Sequence, residues 1–478
     1  VGQESDIRPN IVLMVADDHG REAAGCYGNT VIKTPGMDAL AREGVRFTNS
    51  CCTTASCAAS RAVILTGLQN HTTGTYGHTH GAHHFSCFSD VVTLPVLLNQ
   101  AGYRTGRVGK RHYAPESLFP FQWGMPESEF GRDDVRMSEF CREFIREDGP
   151  FFLYWCSKNP HRSGVDKKHP LRIDRFGNPS EAFPGDEERC YSEDEVVIPS
   201  FLSDTPEVRA ELAQYYQSIS RMDRGIVRLM DVLKEEGEYN HTVVIYISDN
   251  GAAFPESKTT LYEPGMRLPC IVRSPLHEKR GTTCDGLVSW ADLTPTILDF
   301  AGAVPNAAGA AMNAAVATAS LAGSHAGSNA GPGQFHGRSF RNIIDEESPD
   351  DWRDELYAAH TFHEITNYYP MRVVRTKRYK FIYNIAWKLD YSFAGDLWIS
   401  AAWQGALRDK RDTFGARTVD AYLHRPRFEL YDLENDPDET ANLAGRPEHR
   451  ELVESFTQKL KAFQAETSDP WLHKWEYE

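Results

Sequence analysis

Four short stretches of this chain carry residues able to do chemistry together. Asp17 and Asp18 follow "NIVLMVA", Lys110 and His112 stand in "GKRH", and His161 closes "KNPH". Asp249 and Asn250 open "DNG", with Lys258 soon after. Asp17, Asp18, Asp249 and Asn250 make a set of oxygen donors with three negative charges. Such a set suits Ca²⁺ or Mg²⁺ better than Zn²⁺. Lys110, Lys258 and Arg61 add positive charge beside it, and a metal with several cations makes a pocket for a small tetrahedral anion. That is the chemistry of sulfuryl or phosphoryl transfer. Taken singly each signal is bland: an Asp pair caps helices, and "DNG" is a common turn. Their joint occurrence carries the reading. A fifth stretch, "CCTTASCAASRAVILTG" (51–67), places Ser60 and Arg61 three and four residues after Cys57. Cys57 could be a buried thiol, a disulfide half, a metal ligand or a nucleophile.

These residues need a frame that brings them to one place. Strand and helix signals alternate over the first 300 residues, which predicts an α/β fold with parallel strands. Strands are expected at 10–16, 104–108, 151–157 and 242–248, and each ends at one of the polar groups. Open α/β sheets bind ligands at the carboxyl ends of their strands. From Thr205 the apolar residues 208, 212, 215, 219, 222, 226, 229 and 233 predict a long amphipathic helix, with Thr205 as N-cap and Pro206 first. Residues 306–334, rich in Ala, Gly, Ser and Asn, read as a flexible insertion. A hairpin over 371–384 and a helix beginning near His449 suggest two domains, 1–344 catalytic and 345–478 a smaller α+β domain with an antiparallel sheet.

Bulk properties exclude several classes. The 478 residues carry 51 basic and 67 acidic side chains, a net charge of −16, so no nucleic-acid partner is expected. No apolar run is long enough for a membrane span. The sequence opens on Val1 with no hydrophobic leader, as a processed or trimmed chain would. Ten cysteines lack CxxC pairs or regular spacing, so no disulfide framework is indicated. Asn70 and Asn240 begin N-x-Thr sequons, a frequent chance match.

"CAASRAVILTG" resembles the signature of the formylglycine-dependent sulfatases, with Ala59 where that signature usually has Pro. "ADDHG", "GKRH", "NPHR", "SDNG" and "ELYDLENDPDETANLA" match further sulfatase elements in order and spacing. "TGTYGHTHGAHHFSCF", "GKRHYAPESLFPF", "NGAAFPESKTTLYEPG", "HTFHEITNYYPMRVVRTKRYKFIYN" and "ETSDPW" are similar to the sulfamidase group within that family. The resemblance implies an alkaline-phosphatase-like fold: a large mixed, mostly parallel sheet flanked by helices, with a smaller C-terminal domain. It implies Ca²⁺ (or Mg²⁺) held by Asp17, Asp18, Asp249, Asn250 and residue 57, and Cys57 converted to formylglycine by a separate maturation enzyme. The implied substrate is a sulfated amino sugar or glycosaminoglycan fragment, losing its N-sulfo group.

The implied roles can be argued chemically. A thiolate attacking sulfur would give a dead-end adduct, whereas a hydrated aldehyde can release its sulfate. Arg61, one helical turn on, would hold residue 57 in position. Lys110 and Lys258 would stabilise the transferring group. An amine leaves poorly as an anion, so a proton donor is required. His161, with Lys258 nearby, is the candidate acid and His112 the candidate base, or the reverse. N–S cleavage then predicts a cationic histidine and a mildly acidic optimum. His363, Glu364, Tyr369 and Arg372 are candidates by resemblance for the sugar pocket, against a role as contacts between domains. The rivals are an O-sulfatase on a glycan or small ester, a phosphonate or phosphate monoester hydrolase, and a sulfated-glycan binder should Cys57 stay unmodified. Relatives of this kind are lysosomal or exported, which implies an extracytoplasmic setting (periplasmic, secreted or lysosome-like). Unpaired cysteines point instead to a reducing compartment, so a cytoplasmic setting stays open, as does assembly into a homodimer.

Overall fold

The computed structural model describes residues 8–163, 174–303 and 335–477. The Ala-rich segment 306–334 lies outside the described residues. Eight strands form the main sheet: β1 (Asn10–Ala16), β2 (Val45–Cys51), β3 (Arg104–Gly109), β4 (Trp123–Gly124), β5 (Phe151–Cys156), β6 (Thr242–Ser248), β7 (Cys270–Arg273) and β8 (Thr282–Ser289). Their order is β4-β3-β5-β1-β6-β7-β2-β8, and β7 alone runs against the other seven. Every residue of β1, β5 and β6 is buried. Continuous apolar runs such as "NIVLMVA" and "TVVIYIS" suit strands covered on both faces.

The long helix spans Pro206–Glu235, and the Thr205 hydroxyl accepts the Val208 amide at 3.2 Å as an N-cap. Its apolar stripe packs into the core, and one polar member of that stripe supports the site. The Tyr215 hydroxyl donates to the Asp18 carbonyl at 2.7 Å and accepts the Gly20 amide at 2.9 Å.

A second, antiparallel sheet has the order β14-β11-β10-β9, from β9 (Glu355–Phe362), β10 (Tyr368–Thr376), β11 (Tyr379–Asn384) and β14 (Phe428–Asp432). A small hairpin, β12 (Thr413–Phe414) and β13 (Arg417–Thr418), precedes β14. The expected 371–384 hairpin is β10–β11, paired from Met371–Asn384 to Arg375–Lys380. The helix Arg450–Glu466 covers this sheet through Phe456 and Leu460, which join Val374, Phe381 and Leu430 in a small core. The main core runs on from the large sheet into Leu356, Tyr369, Met371 and Trp403. Among the described residues no helix is long and apolar enough to cross a membrane. All ten cysteines are free thiols.

Candidate active site

Four neighbouring strands, β3, β5, β1 and β6, stop at one level. Ala16 pairs with Ser248, and Val15 and Gly109 with Cys156. The ladder continues one step beyond each end: Asp249 N donates to Ala16 O at 3.1 Å, and Lys110 N to Cys156 O at 2.9 Å. Asp17, Asp18, Lys110, Asp249 and Asn250 therefore leave the sheet side by side. Gly109 permits this at β3. Its φ is +78°, and a Cβ there would come within 1.9 Å of the Cys156 carbonyl oxygen.

Cys57 enters from the far side of β7, on the first turn of the helix Cys57–Ile64, whose residues are all buried. The helix is pinned to the end of β6. Ser60 Oγ donates to Asp249 O at 2.6 Å, and Arg61 Nε to Asp249 Oδ2 at 3.0 Å. This brings Cys57 Sγ to 3.7 Å from Asp18 Oδ1, and ligand atoms of Asp17, Asp18, Cys57 and His161 lie within 4.8 Å of one another. Burial pushes the Cys57 thiol well above its ordinary range. As encoded, the residue is a neutral thiol and a poor nucleophile.

Each carboxylate has a cationic partner, and burial works against it. Burial would raise Asp17, but Lys110, bonded to both its oxygens at 2.6 and 2.7 Å, outweighs that and holds it low, with help from Arg61. At Asp18 burial prevails over Lys258 and the carboxyl is pushed up. At Asp249 burial likewise exceeds the pull of Arg61 and lifts the group to about 6. Asn250 donates to Asp18 Oδ1 at 2.7 Å, while its own Oδ1 is buried without a partner. Asp17 and Asp18 converge, while Asp249 is held beside them by Arg61; with the orphaned amide oxygen this set suits a hard divalent cation.

Lys258 stands on the opposite wall. Its Nζ donates to Asp18 Oδ2 at 2.9 Å and Asp396 Oδ2 at 2.8 Å, and lies 3.3 Å from His161 Nε2. The other His161 nitrogen, Nδ1, is 2.5 Å from the Arg162 carbonyl oxygen. A carbonyl only accepts, so Nδ1 carries the proton and Nε2 takes the third Lys258 hydrogen. Desolvation, then Lys258, lowers His161 to about 3. Without substrate, His161 is thus neutral, because an ammonium lies nearer Nε2 than any carboxylate; the cationic histidine expected for N–S cleavage belongs to the substrate-bound state. Backbone strain gathers here too. Asp18 (φ 66°), His112 (φ 48°), Glu256 (φ 67°) and Thr259 (φ 68°) are four of eight non-glycine residues with positive φ among those described.

His112 Nε2 lies 3.1 Å from His80 Nδ1, and its own Nδ1 is buried without a partner. His363 meets the site at the N-cap, its Nδ1 3.0 Å from Ser56 Oγ, with its ring 4.0 Å from that of His78. Two loops lock together there: His78 N donates to His363 O, and Ile365 N to His83 Nδ1. Glu364 sits at the rim, 3.3 Å from where a Cβ on Gly395 would be, one residue from Asp396. Tyr369 and Arg372 do not join it. Arg372 is fully buried and bidentate on Asp469, at 2.5 and 2.8 Å, so its charge is already spent. Tyr369 is buried against Tyr391, whose hydroxyl donates to Thr259 O, a layer behind Lys258. Both are corrected to packing residues. Asp396, His78 and His80 were missed in the sequence. "FAGDLW" gives Asp396 no signal, whereas "HTHGAHHF" carries four histidines in seven residues and could have flagged the other two.

The family model described as Sulfatase matches residues 9–303. A human protein named N-sulphoglucosamine sulphohydrolase is 36% identical over 480 residues, covering 97% of this chain and 91% of that protein. An ulvan-active sulfatase of Formosa agariphila is 27% identical, covering 95% and 79%. The solved structure of a protein in complex with its substrate D-glucosamine-2-N,6-O-disulfate superposes with a TM-score of 0.66 at 22% identity, over 97% of this chain and 99% of that one. The fold is thus one shared with solved relatives, and the strand-end site lies within the matched family segment. The chain belongs to the sulfatase family, hydrolases that act on S–O or S–N bonds.

Proposed function

We propose that this sulfatase removes the N-sulfo group from terminal N-sulfoglucosamine of heparan sulfate or heparin fragments. The observation that carries this reading is the 36% identity, over nearly the whole of both chains, to a protein named for that reaction. The geometry supports it with proton-handling groups beside residue 57, which loss of an amine requires. Asp17, Asp18, Asp249 and Asn250 would hold Ca²⁺ (or Mg²⁺), which polarises sulfate oxygens and lowers the pKa of a bound hydroxyl. Cys57 as formylglycine, made by a maturation enzyme, would supply that hydroxyl.

The remaining work falls to the chain's own side chains. Lys110 and Lys258, each anchored on a carboxylate, offer positive charge to the sulfuryl oxygens. Arg61 is held by Asp249 and fixes the helix that presents residue 57. His161 becomes the acid on binding: the sulfamate anion draws Lys258 off Nε2 and its charge raises the imidazole, so Nε2 gains a proton to give the leaving nitrogen. His112, with an unpartnered nitrogen on the other side, would take the proton of residue 57's remaining hydroxyl as sulfate leaves and the aldehyde re-forms. His363 and Glu364 shape the sugar pocket. The setting is extracytoplasmic.

The test is sulfate release from N-sulfoglucosamine and from glucosamine-6-O-sulfate by protein of measured Cys57 state. Conversion lowers the mass of the Cys57 peptide by about 18 Da, the change from thiol to aldehyde at an activated nucleophile. Fully converted protein that releases only the 6-O-sulfate would reject the N-sulfo assignment.

A further inference from the structure

We propose that His78, His80 and His112 form a second metal site, for a divalent transition ion of the zinc or copper class, at the mouth of the pocket. This site is separate from the oxygen-donor set at the strand ends, and its donors are all imidazole. Nitrogen donors select zinc and copper where carboxylates select calcium and magnesium.

The three rings form a nearly equilateral triangle, with centroids 4.8, 4.9 and 5.1 Å apart. One ligand nitrogen from each lies within 4.8 Å of the others. At a tetrahedral zinc with Zn–N of about 2.0–2.1 Å, neighbouring ligand nitrogens lie about 3.3 Å apart. His80 Nδ1 and His112 Nε2 already stand at 3.1 Å. His78 Nδ1 is buried without a hydrogen-bond partner. The triangle therefore contains more nitrogen than the protein satisfies, which is what an ion would relieve.

The ligands are also held in place. His78 is tied through its amide to His363 O at 2.8 Å and through its carbonyl to Phe85 N at 3.1 Å. Burial first, then nearby positive charge, keeps His78 and His112 neutral and able to ligate. That charge is largely compensated, since Lys110 is paired with Asp17, and Lys258 with Asp18 and Asp396. Burial falls from His78 through His112 to the exposed His80, so the triangle opens to solvent on one side. Three imidazoles with an open fourth position would exchange the ion readily and add water or an anion. An ion there occupies the imidazole assigned above as the base, so it should inhibit turnover; this consequence, unlike the site itself, rests on the proposed role of His112.

The experiment is calorimetric titration of the whole protein with Zn²⁺ in excess Ca²⁺, which keeps the oxygen-donor site filled. One equivalent is expected, with affinity falling at least a hundredfold in His80→Ala and in His78→Ala. Co²⁺ in place of Zn²⁺ should give visible absorption bands of a four- or five-coordinate ion, absent in both variants. Should His78→Ala fail to fold, the exposed position settles the matter through His80→Ala and His80→Gln. No saturable equivalent, or unchanged affinity at position 80, overturns the site. Turnover read beside binding separates the two claims: stoichiometric Zn²⁺ without inhibition upholds the site and removes His112 from the reaction.

Discussion

Arg61, on the helix that begins with Cys57, places Nη2 2.9 Å from Asp249 Oδ2 at the end of β6, and neither side chain has any exposed surface. This ion pair, together with the Ser60 hydrogen bond to Asp249 O, joins the Cys57 helix to the sheet. Removing one partner strands a buried charge, at a cost of about 3–5 kcal/mol. Arg61→Ala should therefore lower the midpoint of thermal unfolding sharply and lose turnover together. Arg61→Ala with wild-type stability, measured by calorimetry, would show that helix packing alone holds Cys57 in place.

Cys57→Ala should abolish turnover while leaving the fold intact, because the thiol makes one long hydrogen bond, to Asp18 at 3.7 Å. Loss of that contact is a small change against the wholly buried helix around it. Circular dichroism and the unfolding midpoint check the fold. Residual turnover near wild type in the alanine variant would end the formylglycine account.

His161→Ala should slow release of the N-sulfo group about a hundredfold more than hydrolysis of an activated aryl sulfate, within the usual range for general acid catalysis. The aryl leaving group needs little protonation, so the contrast reads the role and not merely the presence of the ring. Equal losses on both substrates would assign His161 to sulfate binding.

Added Ca²⁺ should raise the unfolding temperature in a concentration-dependent way, because an ion bound only to the native state stabilises it by mass action. Asn250→Ala removes the orphaned amide oxygen and should shift that dependence to higher Ca²⁺. An unfolding temperature indifferent to Ca²⁺, in wild type and variant alike, would contradict the proposed ligand set.

Acid stability gives a test far from any proposed ligand. His71 Nε2 lies 2.7 Å from Thr467 Oγ1, just past the C-terminal helix, and burial lowers the imidazole from 6.5 to about 3. A depressed folded pKa contributes stability above pH 6.5 that is lost as pH falls toward 3, by about 1.4 kcal/mol per unit. Denaturant unfolding of wild type and His71→Gln across that window should show the slope in wild type and its loss in the variant. Parallel curves would mean the native state already accommodates the imidazolium.

Much of this site was legible because its chemistry follows directly on the strands. β1, β3, β5 and β6 are apolar runs or stop at a glycine, and the residues after them are the site. Strands β2 and β8 were harder to read: "VRFTNSC" and "TTCDGLVS" mix polar and apolar residues without a clean period, since loops and the second sheet cover them unevenly. Asp396 joins through a tertiary approach that no local pattern records. Arg372 and Tyr369 were misplaced for another reason. β10 is buried on both faces over most of its length, so neither alternation nor resemblance tells which side chains point at the pocket.

The complete burial of Cys57 also fixes a time. The proposed maturation enzyme would have to reach a sulfur atom buried at the strand ends, next to Ser56 and the His363 segment bonded to it. That segment is made about 300 residues after Cys57, roughly 15–60 s later at ribosomal rates of 5–20 residues per second. Within that interval the thiol is available on the growing chain; afterwards the finished fold shuts it away. On the proposed maturation, the active fraction of a preparation would be set during synthesis, by how fast the chain is made relative to how fast it is modified.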